Sequence, residues 1–246
     1  MRVAGLWRFP VKSMQGESLE HAEIDELGIV GDRQWALVDT ETGLALTARR
    51  VPELLFASAR LVGESDGVAC QVEVTMPDGR QTNDDEALSN WLGRSVELRR
   101  AGPDVSGRYE IAVDFEDEST SPWVQWEGPQ GTFHDSTQTR VSIMSTASMR
   151  QWVLRRFRTN VVVEADHDGD EDTLVGQHVT IGSVVLEIVK QIDRCVMTTR
   201  PQPGGIERDL DVLRTINADR ASFLGVSAMV IRPGAVAIGD DLRVGA

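Results

Sequence analysis

The sequence predicts a mainly β, α+β fold with a barrel-like sheet. Three observations carry this prediction. Strand patterns outnumber helical patterns along the 246 residues, the two do not alternate regularly, and no segment repeats. A doubly wound parallel sheet needs strands and helices in regular alternation, so a barrel-like arrangement of strands is favoured instead. The length allows one large core or two small ones.

The first half of the chain is predicted to consist mostly of strands. Residues 3–9 are apolar and β-prone, and residues 34–39 continue the pattern. Apolar and polar side chains alternate over residues 68–76, which predicts a strand with Cys70 on its apolar face. Asp78-Gly79 is a hairpin turn signal.

A short helix follows the hairpin. Asn83 is its predicted cap, Gly93 its predicted end, and Leu88, Trp91 and Leu92 its predicted buried stripe. Residues 101–140 are rich in turn signals and carry an acidic run, so they are either a domain boundary, placed at 115/116, or a long functional loop.

The second half begins with a predicted helix over residues 146–157, capped by Ser145 or Thr146. Residues 160–164 then form a strand. The acidic stretch 166–172 lacks the spacing of a calcium-binding EF-hand loop and is predicted to be a solvated turn. The last predicted elements are a hairpin of residues 179–181 and 184–189, a weak helix over 208–217 and a strand over 226–231.

Composition excludes several classes of protein. The net charge of −14 argues against a nucleic-acid binder, which needs a basic face. No apolar run approaches the roughly 20 residues that span a bilayer, so no membrane association is expected. The N-terminus has no secretory apolar region, and the two cysteines are far apart, which favours a reducing, cytoplasmic location.

Common catalytic and cofactor motifs are absent. The sequence has no dinucleotide fingerprint, no phosphate-binding P-loop, no zinc-protease motif and no nucleophile elbow. Its four histidines are scattered without zinc-ligand spacing. The local signals that remain are Cys195 and the basic clusters at residues 49–50 and 155–158.

Cys195 follows an apolar strand and is preceded by Arg194. A neighbouring cation favours the thiolate, which attacks electrophiles and binds soft metals. The alternative is that Cys195 is a small buried hydrophobe, as most free cysteines are. The basic clusters could form an anion pocket in an otherwise acidic protein, or simply a solvated face with local ion pairs.

Several segments in a shared order resemble the MOSC superfamily, and the proteins around the mitochondrial amidoxime reducing component in particular. The first is Phe9-Pro10-Val11-Lys12-Ser13. The others are residues 27–33, 46–52, 133–135, 145–148, 156–163, 194–195 and 207–215. The resemblance implies a smaller N-terminal β-rich domain over residues 1–115, packed with a β-barrel-like MOSC domain over residues 116–246.

The resemblance also implies a molybdenum–molybdopterin cofactor. Cys195 is then the protein ligand to the metal and the catalytic residue. The implied cofactor-binding residues are Lys12, Ser13, Arg33, Ser145, Arg158, Asn160 and Arg194. Guanidinium groups bind phosphate through paired charge-assisted hydrogen bonds, which suits the phosphate of the pterin.

Each of these residues has a simpler alternative role. Lys12 and Arg33 could form surface ion pairs, Arg158 could flank a strand, and Ser145 is a sound helix cap. The chain also departs from the family pattern. Thr159 replaces a common proline, and residues 198–205 replace a common Asp-Pro segment on the expected substrate face.

The implied activity is two-electron reduction of N-hydroxylated or related N-oxygenated small molecules. The chain has too few cysteines for a ferredoxin-like domain, so a separate ferredoxin- or flavoprotein-type electron donor is expected. The first alternative is a non-catalytic cofactor carrier or sulfur-transfer protein. The second is a binding protein with a vestigial pocket.

Overall fold

The computed structural model describes residues 1–63, 71–113 and 120–245. The chain forms two compact units that are not continuous in sequence. The first unit comprises Met1–Arg8, Glu17–Asp32 and Thr137–Ala246, and the second comprises Phe9–Gly16 and Arg33–Ser136. The predicted boundary at 115/116 lies outside the described residues, as does Cys70, so both stay predictions.

Strands dominate both units. In chain order they are β1 Arg2–Arg8, β2 Glu17–Leu19, β3 His21–Asp25, β4 Gly28–Ile29, β5 Trp35–Asp39, β6 Ser58–Val62, β7 Gln71–Thr75, β8 Gln81–Thr82, β9 Val96–Arg100, β10 Ser106–Ala112, β11 Trp123–Gln130, β12 Val141–Ser145, β13 Val161–Glu164, β14 His178–Ile181, β15 Val184–Asp193, β16 Phe223–Arg232, β17 Gly234–Ala237 and β18 Leu242–Val244.

The α-helices are α1 Asp85–Leu92, α2 Thr146–Met149 and α3 Asp211–Arg220. Short 3-10 helices lie at Pro52–Phe56, Leu154–Arg156, Asp170–Leu174 and Val196–Thr199. This proportion of strand to helix confirms the predicted mainly β class.

The first unit is built on one large sheet with the strand order β18-β14-β15-β16-β12-β13-β1-β2. Its neighbours pair antiparallel except β12 and β13, which are parallel and are connected through α2. Alternating aliphatic side chains from these strands, such as Val141, Val163 and Leu186, form its core. A small sheet of β17, β3 and β4 completes the unit.

The second unit contains smaller sheets, β5-β9, β6-β7-β8 and β10-β11. All of β5 is buried, and its apolar side chains occupy both faces of the strand. Tyr109 and Phe133 join Ala36, Val38 and Ala45 in one core cluster. The predicted turn at Asp78-Gly79 joins β7 to β8, with Met76 N donating to Arg80 O at 2.9 Å.

Helix α1 confirms the predicted helix with one change at its start. Asp84, not Asn83, is the cap, because its carboxylate accepts the amide of Ala87. Gly93 ends the helix in the left-handed region, where glycine carries no steric penalty. Leu88 is buried, whereas Trp91 and Leu92 are half-buried.

The predicted helix over residues 146–157 is wrong beyond its first turn. Ser145 caps α2 as expected, but the helix stops at Met149 because Arg150 adopts a φ of 51°. The apolar residues that suggested a helical stripe still pack inward, with the Trp152 and Phe157 rings 5.8 Å apart. Tertiary packing therefore replaces helical periodicity in this stretch.

The predictions for the later elements are confirmed. β14 and β15 form the hairpin across Gly182-Ser183, α3 occupies the weak helical stretch, and β16 is the last long strand. Strand β15 extends past the predicted end to Asp193, which carries the sheet up to the candidate cysteine.

Candidate functional site

Cys195 lies just beyond the end of the central strand β15, in the first unit. The strand pairs with β16 up to the Asp193–Phe223 position, and Cys195 then continues in extended conformation. Its carbonyl accepts hydrogen bonds from Thr198 N at 3.1 Å and Thr198 Oγ1 at 3.0 Å. The residue is half-buried. The backbone that carries the thiol is therefore fixed on both sides.

Arg194 points into the first unit. Its Nε donates to Leu224 O at 2.8 Å and its Nη1 to Phe157 O at 3.1 Å. The guanidinium also lies 5.5 Å from the centre of the Phe157 ring. Its Nη2 is buried without a hydrogen-bond partner. These hydrogen bonds fix the end of β15 against the neighbouring segments.

Gly225 makes room for this guanidinium. A Cβ at this position would lie 3.2 Å from Arg194 Nη2 and 2.8 Å from Ile143 O, and the backbone φ is +75°. Only glycine accepts both the conformation and the close approach without displacing its neighbours.

Arg194 keeps its charge despite its enclosure. Burial lowers its pKa from 12.5 to about 10, while the electrostatic influence of the neighbouring Cys195, Asp193 and Glu171 opposes that shift. At neutral pH the guanidinium is protonated. It therefore holds a positive charge beside the position at which an anionic sulfur would bind a metal.

The predicted solvated turn holds for residues 166–168, which are exposed, but not for the end of the acidic stretch, where Glu171 belongs to a buried charge network. Glu171 is fully buried; its Oε2 accepts from Ser148 Oγ at 2.8 Å, and its Oε1 has no partner. Arg220 pairs with Asp168 and Asp172 and donates to Ser148 Oγ at 3.0 Å. Sequence reasoning missed this network because Arg220 lies far along the chain from its carboxylates.

The basic cluster at residues 155–158 is not a solvated face. Arg156 is only 8% exposed, and it donates to the carbonyls of Thr198, Arg200 and Glu207. Arg155 donates to Pro203 O at 2.9 Å. The sequence analysis noted both residues as part of a basic cluster but not among the site residues, and no local sequence signal identifies carbonyl partners more than forty residues away.

Ser145 and Asn160 are buried residues of the first unit with defined structural roles. Ser145 Oγ accepts from Ser148 N at 3.0 Å as the cap of α2. Asn160 Oδ1 accepts from Ser142 Oγ at 2.8 Å, and its Nδ2 donates to Trp7 O at 3.2 Å. These bonds tie β1 to the strands beside it. Contact of either residue with a cofactor stays a prediction.

Lys12, Ser13 and Arg33 belong to the second unit. Lys12 is buried; its Nζ donates to Asp135 Oδ1 at 2.5 Å and Phe133 O at 3.0 Å. Ser13 Oγ accepts from Ala48 N at 3.0 Å, which joins the Pro-Val-Lys-Ser segment to the Thr-Ala-Arg segment. The Arg33 guanidinium lies 5.1 Å from the centre of the Phe9 ring. The simple surface ion-pair alternative therefore does not describe Lys12.

Three of the predicted cofactor-binding residues adopt a rarely populated backbone conformation. The φ angles are 69° for Ser13, 50° for Arg33 and 52° for Arg158. Non-glycine residues with positive φ cost free energy and concentrate at functional sites. Arg150, Ala221 and Ser222, which are not in the predicted set, also have positive φ, so the conformation does not test the set. The cofactor contacts themselves stay predictions.

The described residues offer no protein-built metal site of the usual kind. Within residues 1–63, 71–113 and 120–245, no group of three or more His, Cys, Asp or Glu side chains is placed to hold a metal ion. In the same ranges, no helix is long and apolar enough to cross a membrane.

Two family models cover most of the chain. The MOSC N-terminal beta barrel domain matches residues 1–107, and the MOSC domain matches residues 130–243. The chain belongs to the MOSC family. This finding confirms the resemblance inferred from the ordered motifs.

Curated relatives of this MOSC chain resemble it along nearly its whole length. Human mitochondrial amidoxime-reducing component 1 is 23% identical, and human mitochondrial amidoxime reducing component 2 is 25% identical; each alignment covers 98% of this chain and 82% of the relative. The molybdenum cofactor sulfurase of Drosophila grimshawi is 25% identical over 85% of this chain and 29% of the sulfurase.

Proposed function

We propose that this MOSC protein binds molybdenum cofactor through Cys195 and reduces N-hydroxylated or related N-oxygenated small molecules. The observation that carries the proposal is the arrangement at the end of β15. A half-buried cysteine follows a fixed strand end, and the guanidinium of the preceding Arg194 is held by Leu224 O and Phe157 O. Similarity to amidoxime-reducing components over 98% of the chain supports the same interpretation.

The residues present fit such a cofactor. Thiolate is a soft metal ligand, and Cys195 supplies one. In this proposal a pterin dithiolene would supply the other ligands to the metal. The unpaired, buried Nη2 of Arg194 adds positive charge that suits an electron-rich sulfur centre.

In this mechanism the residues of the protein bind the cofactor and orient it. When bound, the cofactor supplies the two-electron chemistry. The N–O bond breaks, two electrons and two protons are consumed, and the products are the reduced nitrogen compound and water. Cys195 holds the metal, and Arg194 fixes the strand end through Leu224 O and Phe157 O. The roles of Lys12, Ser13, Arg33, Ser145, Arg158 and Asn160 toward the cofactor stay part of the proposal.

The electrons come, in this proposal, from a separate donor protein of ferredoxin or flavoprotein type. The substrate is a small molecule, and neither nucleic acid nor a membrane is a partner. A cytoplasmic location is retained as a prediction from the sequence. The net charge of −14 makes docking of a donor sensitive to ionic strength.

The test compares the parent protein with Cys195→Ser, both produced in a host that synthesises the cofactor. Elemental analysis and pterin fluorescence measure cofactor content, and reduction of an amidoxime with an artificial electron donor measures activity. We expect near-stoichiometric molybdenum and turnover in the parent, and loss of both in the variant with its fold retained. A parent without molybdenum, or a variant with full activity, overturns the assignment.

A second candidate function is a cofactor carrier or sulfur-transfer protein. Similarity to a molybdenum cofactor sulfurase over 85% of the chain favours it, as does a thiol that is only half-buried. A carrier would hold molybdenum without reducing amidoximes, and it would pass the cofactor to an apo-enzyme. Turnover with an artificial donor decides against this role.

A further inference from the structure

The segment after the cysteine is folded onto the first unit. We define residues 196–207 as the post-cysteine loop. It begins with the 3-10 helix Val196–Thr199 and closes on itself where Gln202 N donates to Ile206 O at 2.9 Å. Gln202 and Ile206 are 4% and 5% exposed. These are the properties of a packed structural segment, whereas most loops expose their backbone to water.

Arg156 holds this loop through main-chain carbonyls. Its Nη1 donates to Thr198 O at 3.1 Å and to Arg200 O at 3.4 Å, and its Nη2 donates to Glu207 O at 2.8 Å. The side chain is 8% exposed, so water does not replace these bonds. One planar guanidinium thus joins the beginning and the end of the loop.

Arg155 holds the tip of the same loop. Its Nη2 donates to Pro203 O at 2.9 Å. A Cβ on Gly204 would lie only 2.7 Å from that nitrogen, whereas Gly205 has open space around the corresponding position. Both glycines have nearly the same φ, +78° and +79°. Gly204 and Gly205 therefore have equal backbone strain, but an added Cβ would contact Arg155 only at Gly204.

The loop is coupled directly to the cysteine. Thr198 donates from its N and its Oγ1 to Cys195 O, and its own carbonyl accepts from Arg156 Nη1. Displacing Arg156 would therefore affect the backbone of Cys195 through one intervening residue, Thr198. The loop begins at the residue that follows Cys195.

We propose that Arg155 and Arg156, here named the arginine clamp, are positioning residues that fix the post-cysteine loop and thereby set which substrates reach Cys195. This inference rests on the proposed function for its substrate and on the contacts above for the clamp. Releasing the clamp frees loop carbonyls to water, widens the approach to the sulfur and weakens discrimination by substrate size.

The first experiment compares Gly204→Ala with Gly205→Ala. Both carry the same backbone strain, but only the methyl group at residue 204 displaces Arg155 Nη2. Hydrogen exchange of loop amides measures the release. Because a hydrogen bond to a charged group is lost, we expect about tenfold faster exchange in Gly204→Ala than in Gly205→Ala. Equal exchange in the two variants overturns the clamp.

The second experiment removes the guanidinium at residue 156. Arg156→Met retains an aliphatic stem, Arg156→Lys retains the charge, and Arg214→Met is a control on the exposed face of α3. We expect loop exchange to rise about ten- to hundredfold in Arg156→Met and less in Arg156→Lys. Exchange in β16 monitors the fold; if Arg156→Met unfolds, the glycine pair still decides the question.

Kinetics of a small and a bulky amidoxime test the effect on selectivity in the same variants. With molybdenum content unchanged, we expect KM for the two substrates to shift by different factors while kcat changes less. An unchanged ratio of kcat/KM, despite faster loop exchange, overturns the selectivity claim. Absence of molybdenum from the parent refutes the proposed function instead, and the exchange comparison then still tests the clamp.

Discussion

Two buried cations, one in each unit, are held in different ways. In the second unit, Lys12 Nζ pairs with Asp135 at 2.5 Å and lies 4.1 Å from the centre of the Tyr109 ring. In the first unit, Arg194 is held by the carbonyls of Leu224 and Phe157, and one of its nitrogens has no partner. Lys12 is therefore neutralised by a carboxylate in direct contact, whereas the groups that hold Arg194 are neutral carbonyls.

The partner groups of the two cations differ in their exposure to solvent. Asp135 has an 83% exposed side chain beside a lysine that is 4% exposed, so an anion from solution can take the place of that carboxylate. The partners of Arg194 are main-chain groups of β16 and of the segment before β13, which no ligand can replace. Lys12 is suited to bind an exchangeable anion, and Arg194 is suited to hold the backbone.

The largest effect is expected for Arg194→Met. The change leaves two carbonyls without their donor and deprives the fully buried Glu171 of a nearby positive charge. Each buried group left unpaired costs about 1–3 kcal/mol, so we expect the free energy of unfolding to fall by about 3 kcal/mol. Urea denaturation measures the loss.

Arg214→Met is the matched control, because its guanidinium is 72% exposed and pairs only with exposed Asp211. Surface changes of this kind stay within about 0.5 kcal/mol of the parent. Equal stability of the two variants would show that Arg194 does not hold the strand end.

A smaller loss is expected for Lys12→Met. The variant forfeits the bond to Phe133 O and the contact with the Tyr109 ring, but the carboxylate of Asp135 is already largely exposed to water. We expect the free energy of unfolding to fall by about 2 kcal/mol, again in urea. A loss as large as that of Arg194→Met would contradict the contrast between the two cations.

Asp135→Asn sharpens the comparison by removing the exchangeable partner of Lys12. If an anion can occupy that position, inorganic phosphate should bind more tightly to the variant, by up to about fivefold, because the carboxylate that it replaces is largely exposed and an ion pair with a solvated partner contributes about 1 kcal/mol or less. Calorimetric titration measures the affinity. Asp104→Asn, an exposed change in the same unit, serves as the control, and no gain over it would argue against an anion site at Lys12.

The fold was predictable where its signals are local. Alternation at residues 184–189 follows from the two-residue period of a strand, and the hairpin at Gly182-Ser183 follows from turn chemistry. The helix over residues 146–157 was mispredicted because Trp152 and Phe157 pack through tertiary contacts that imitate helical spacing. Asp84 replaced Asn83 as a cap because adjacent capping residues differ only in local geometry.

The candidate site was predictable in part. Cys195 at a strand end and the ordered family motifs are visible in the sequence, and the family matches confirm that resemblance. The positive φ of Ser13, Arg33 and Arg158 is not visible, since those residue types rarely adopt it. The hydrogen bond from Arg156 to Thr198 O was also not predictable from the sequence. Every residue has a main-chain carbonyl, so such an acceptor leaves no signal in the residue types.

The smallest effect concerns Arg220, a first-unit cation that pairs with carboxylates as Lys12 does. Burial opposes ionisation of Asp168, but the hydrogen bond from Arg150 and the charge of Arg220 outweigh it and lower the pKa of this carboxyl from its usual 3.8. A lowered pKa contributes stability above the unfolded value, and that contribution disappears as pH falls through the folded value.

Asp168→Asn should therefore be less stable than the parent at neutral pH, and the difference should shrink as the pH falls below 3.8. Thermal unfolding of both proteins across this range measures it. Asp166→Asn is the control, since Asp166 is exposed on the same loop and forms no salt bridge within the described residues. A difference from the parent that stays constant with pH would mean that Asp168 acts through its shape and hydrogen bonds rather than its charge, and the carboxylate-paired cation would then resemble Arg194 after all.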